Sequence, residues 1–71
     1  MKYEVEFRSK SGEQKRVVVS LEPDETQSVN SLRALRGTEE AGMMAISYAS
    51  RRGYQNVPDG FEYFGAKPLP N

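Results

Sequence analysis

Seventy-one residues limit the chain to a single domain, 1–71, because a chain this short buries only about 60% of the surface its unfolded form exposes and cannot divide it between two cores. It contains no cysteine and no histidine, which removes disulfide staples, zinc sites built on those ligands, thiol nucleophiles and the commonest general base near neutral pH. Ten basic residues balance ten acidic ones, so no long-range field draws the chain toward nucleic acid, an anionic membrane or a strongly charged partner.

Residues 2–8, KYEVEFR, alternate strictly: Tyr3, Val5 and Phe7 share one side, and Lys2, Glu4, Glu6 and Arg8 the other. A period of two predicts a half-buried strand, and the absence of a continuous apolar stretch in the first twenty residues argues against a signal peptide or a membrane span. SKSGEQ supplies a turn with Gly12, and KRVVVSL offers β-branched residues for a second strand. The two form a hairpin. Setting Phe7 opposite Val17, Val5 opposite Val19 and Tyr3 opposite Leu21 gathers these apolar side chains on one face.

EPDETQS breaks the alternation at Pro23. Two helical pieces follow. Ser28 is placed to cap a short first one carrying Leu32 and Leu35, closed by Arg36 and Gly37; Thr38 is placed to cap the second, with Glu39 and Glu40 in its first turn. At about 100° per residue, Ala41, Ala45, Tyr48 and Ala49 share a face, flanked by Met44 and Ile46, and Gly42 at its edge lets the helix approach a sheet closely. Arg51 and Arg52 fall in its last turn, Gly53 closes it, and Tyr54 is set to fold back on it. VPDG reads as a turn with Pro58, Asp59 and Gly60 at its second to fourth positions. FEYFGAK is the third strand, with Phe61 and Tyr63 inward and Phe64 and Ala66 outward. The tail 68–71, PLPN, is expected to leave the ladder and run extended.

The order strand, strand, helix, strand predicts an α+β fold: a small ββαβ unit with a short extra helix before the main one. Its three-stranded antiparallel sheet takes the order 2-1-3, with the helix on one face. A βαβ unit with strand three parallel to strand two is the disfavoured alternative, since it leaves the best-alternating strand at an edge.

Chemistry is sparsely represented, and the expectation is a protein that is not an enzyme, without cofactor, metal or small-molecule substrate. Glu39 and Glu40 are neighbours on a helix and point about 100° apart, a poor acid and base pair but a good helix start. DETQSVNSLRAL resembles a calcium loop in its alternating oxygens, yet Val29 stands where the loop needs glycine and Leu35 where it needs glutamate. Glycines are too scattered for a phosphate loop. No motif is specific enough to name a family. A protein partner or a homodimer in the cytoplasm is the expectation, bound through the outer sheet face or an edge strand. Val18, Phe64 and Ala66 are the outward apolar residues, and Met43 is a second contact on the helix. The disfavoured alternative is weak nucleic-acid binding, in which Arg33, Arg36, Arg51 and Arg52 converge on a phosphate backbone beside Tyr54.

Overall fold

In the computed structural model, which describes residues 1–53 and 57–70, the chain runs β1 (Lys2–Ser9), β2 (Gln14–Ser20), α1 (Pro23–Arg36), α2 (Thr38–Ser50) and β3 (Phe61–Pro68). The sheet is antiparallel throughout, in the order β2-β1-β3. The best alternating strand is therefore central. Tyr3, Val5 and Phe7 are fully buried under the helices together with Val19, Leu21, Val29, Ala41, Ala45, Ile46, Ala49 and Ala66. Each large side chain among them contributes about 1.5–3 kcal/mol by leaving water. Among the described residues no buried side-chain polar atom lacks a partner.

The hairpin register differs from the one expected. Phe7 faces Lys15, Val5 faces Val17 and Tyr3 faces Val19, two residues short of the sequence-based pairing. The turn explains it: Ser9 N–H donates to Glu13 O at 3.0 Å, Gly12 N–H donates to Ser9 O at 3.0 Å, and Gly12 has φ 89°. A left-handed glycine lets a three-residue loop close where the expected register needs a longer one. A slip of two keeps each side chain on its own face, so the core is unchanged.

The first helix is longer than a piece capped at Ser28. It begins at Pro23, whose missing N–H costs nothing at that position, and Glu25 accepts a hydrogen bond from Glu22 N–H at 2.9 Å, the return half of a capping box. Its buried residues are Thr26 and Val29. Leu35 stands roughly 120° around the helix from Val29 and is 83% exposed.

Gly37, not Thr38, is the N-cap of α2 as well as the C-cap of α1. Its φ of 104° makes the corner between the helices, a conformation that a side chain at this position would strain. α2 crosses the sheet, packing chiefly on β3, and the closest approach is at Gly42. A Cβ there would lie 3.2 Å from Val5 Cγ1 and 3.3 Å from Tyr63 Cδ1. The helix ends at Ser50 with Arg51 as C-cap, so Arg51 and Arg52 stand just beyond its last turn.

Two further details of the C-terminal part differ from expectation. Phe61 N–H donates to Pro58 O at 3.2 Å, which makes Pro58 the first residue of the turn and Gly60 the third. The ladder also continues into the tail: Pro68 belongs to β3, and Leu69 N–H donates to Lys2 O at 3.0 Å. Proline is tolerated because its missing donor faces the open side of the strand.

Candidate functional site

The outer face of the sheet is a lattice of charge. Arg16 Nε lies 3.8 Å from both Glu4 Oε1 and Glu6 Oε1, and Arg8 Nε donates to Glu6 Oε2 at 2.9 Å. Val18, 53% exposed, sits beside Glu4 on one edge strand. Phe64, 46% exposed, sits on the other, with the Arg8 guanidinium 3.4 Å from its ring centroid. These two residues do point outward, but the charged row separates them and no continuous apolar patch forms. Ala66 is a correction. The β1–β3 register shifts between Glu6 and Phe7, where Tyr63 and Gly65 face successive β1 residues and Phe64 is the extra one. That bulge rotates the rest of the strand, and Ala66 packs in the core opposite Val5. Met43 is 50% exposed but lies in the helical layer. The four candidate interface residues therefore share no single surface.

The two sheet edges differ more than the two faces. Reciprocal bonds between Met1 and Leu21 at 2.7 and 3.0 Å, and the Ser9 to Glu13 bond at the other end, set which residues of β2 turn their main chain toward β1. Alternation then assigns Lys15, Val17 and Val19 to the β1 side, and Gln14, Arg16, Val18 and Ser20 to the open side. Ser20 O is taken, accepting from Arg52 Nη2 at 2.9 Å. Among the described residues nothing engages the outward N–H and C=O groups of Arg16 and Val18. A shallow groove lined by Val18, Val19, Ser20, Ala49, Arg52 and Gly53 lies next to them. On the opposite edge, β3 is blunted three times: Arg33 Nε donates to Ala66 O at 2.8 Å, Pro68 has no donor, and the bulge at Phe64 breaks the ladder.

Arg33 and Arg52 do not converge. Arg33 is fixed at the β3 edge, while Arg52 Nη1 and Nη2 grip Glu25 at 2.9 Å each beside the end of β2. With β1 between them, the two edge strands are about 10 Å apart. Arg51 lies 5.6 Å from the centroid of the Tyr48 ring, and Arg36 is exposed at the end of α1. Tyr54 falls outside the described residues. Arg52 holds the Glu25 carboxyl below the usual carboxylate range, first through their hydrogen bond and then with help from Glu22 N–H. The same bond raises Arg52. This arginine is a structural clamp that ties α1 and β2 to the end of α2.

The Tyr3 hydroxyl donates to Asn30 Oδ1 at 2.6 Å, and burial pushes it above the usual phenol range against the opposing charge of Arg33. Among the described residues there is no cluster of carboxylates able to hold a metal ion, and no helix is long and apolar enough to cross a membrane.

Two features escaped the sequence reading. The open main chain of Arg16 and Val18 depends on hydrogen-bond parity, which the three-residue loop at Gly12 would have revealed. The exposure of Leu35 follows once the buried face of the first helix is set by Thr26 and by Val29, which lies about 120° around the helix from Leu35. No known family model matches this chain, and no curated protein or solved structure matches it either.

Proposed function

We propose that this chain is a non-enzymatic protein-binding module that receives an extended segment by strand addition along β2. The observation that carries this reading is the contrast between edges: β3 has its outward carbonyl, its missing donor and its bulge, while β2 presents the main chain of Arg16 and Val18 with no such protection. Hydrogen bonds from that main chain supply affinity without regard to sequence. Side chains supply selectivity, since a residue opposite Val18 meets an exposed apolar surface and one opposite Arg16 meets a guanidinium already balanced by Glu4 and Glu6. An incoming residue that lays an apolar side chain or a long aliphatic stem over Val18, and one opposite Arg16 that is uncharged, suit both.

A display library of random peptides tests it. Selected peptides are expected to be β-branched and extended, and to lose binding to a Val18→Pro variant, which removes an outward donor but no bond to β1. Peptides that bind native protein and Val18→Pro equally would overturn the reading.

A further inference from the structure

We infer that the strand β2 receives is β2 of a second copy of this chain, paired antiparallel about a two-fold axis through Val17. The inference rests on the strand-addition reading and goes beyond it by naming the occupant and the register. Outward groups must meet outward groups, and giving both Arg16 and Val18 a partner within the other β2 confines a symmetric pairing to three centres: Arg16, Val17 and Val18. Centred on Arg16, the pairing sets that arginine against itself, and like charges directly opposite are destabilising. Centred on Val18, it sets Arg16 against Ser20, whose carbonyl Arg52 already occupies. Centred on Val17, it sets Arg16 of each copy against the partner's Val18, so every outward N–H of these two residues finds a free carbonyl and every carbonyl a free N–H, and the occupied Ser20 carbonyl meets only Gln14 at the strand's end.

Side chains complement one another in that register. On the outer face the stem of Arg16 lies over the partner's Val18, covering a side chain that is 53% exposed in the single chain. Beyond it in the same row stands the partner's Glu4, two strand spacings or about 10 Å away between backbones, a gap that an arginine and a glutamate span together. Arg16 thus exchanges part of its attachment to its own Glu4 and Glu6 for the same carboxylates across the axis. On the helical face Val17 meets Val17, and Lys15 lies opposite Val19. The product is a continuous six-stranded sheet whose ends are the two blunted β3 strands, so assembly stops at the dimer.

The absence of cysteine makes the register directly testable. Arg16→Cys and Val18→Cys are mixed and oxidised: opposed Cα atoms of a hydrogen-bonded pair lie about 5.5 Å apart, inside the disulfide range, whereas each variant paired with itself must bridge a diagonal outside it. The mixture is expected to cross-link at least about tenfold faster than either variant alone. Light scattering on the native chain is expected to rise from 8.0 kDa toward twice that with concentration, and Val18→Pro, folded by circular dichroism, to remain at the lower mass. Equal cross-linking rates, or a native chain that stays monomeric to millimolar concentration, overturn the inference. If the native chain is monomeric yet library peptides still bind it and not Val18→Pro, only the identity of the occupant fails. If they do not bind, strand addition fails with it.

Discussion

Glu25 carries two jobs on one carboxylate: it accepts the Glu22 N–H at the start of α1 and both terminal nitrogens of Arg52 from beyond α2. Because its pKa is lowered in the folded chain, its contribution is present above the ordinary carboxylate range and is lost as pH falls through the folded value. Urea midpoints of native protein and Glu25→Gln should therefore differ at neutral pH and converge in acid. Arg52→Lys should lose most of the same stabilisation, because an ammonium does not span the carboxylate and Ser20 O together. Gly42 is constrained by space instead. With Val5 and Tyr63 already 3.2 and 3.3 Å from where a Cβ would sit, Gly42→Leu should destabilise by about 3 kcal/mol in a chemical denaturation series.

At the scale of elements, α1 is held by little apolar surface. Val29 is its one buried large apolar residue among those described, and Val29→Ala should cost about 2 kcal/mol by the usual sum of lost transfer and residual cavity. Leu35→Lys should change stability by no more than about 0.5 kcal/mol, since an exposed site away from caps and networks has little to lose. A larger loss would mean that Leu35 packs in solution. The β2 strand makes the complementary case. Val18→Pro should fold, with a loss of about 1 kcal/mol or less, while Val19→Pro removes a donor to β1 and should cost about 3 kcal/mol or more.

For the whole molecule, parity along β2 predicts an alternating pattern of amide exchange. In dilute solution the Arg16 and Val18 amides should exchange quickly while Val17 and Val19 are protected; raising the concentration should protect the first pair too, and exchange by NMR reads both conditions in one sample series. Much of this architecture was legible in the residues themselves. Strict alternation in residues 2–8 made β1 central, the alanine face and Gly42 set how α2 meets the sheet, and the element order led to 2-1-3. These are local periodicities, and local periodicity is what a sequence records. Register, the span of α1 and the placement of Ala66 were decided elsewhere: by a loop closing through a left-handed Gly12, a helix start stabilised by Glu25, and a bulge at Phe64. Each shifts the chain by a residue or a few without altering its pattern, so composition and spacing are blind to it. The candidate site belongs to the same class. Val18 stood out as an exposed apolar residue, but the distinction between an open β2 edge and a β3 edge closed by Arg33 requires side chains and main chain more than thirty residues apart to meet, and only the folded backbone brings them together.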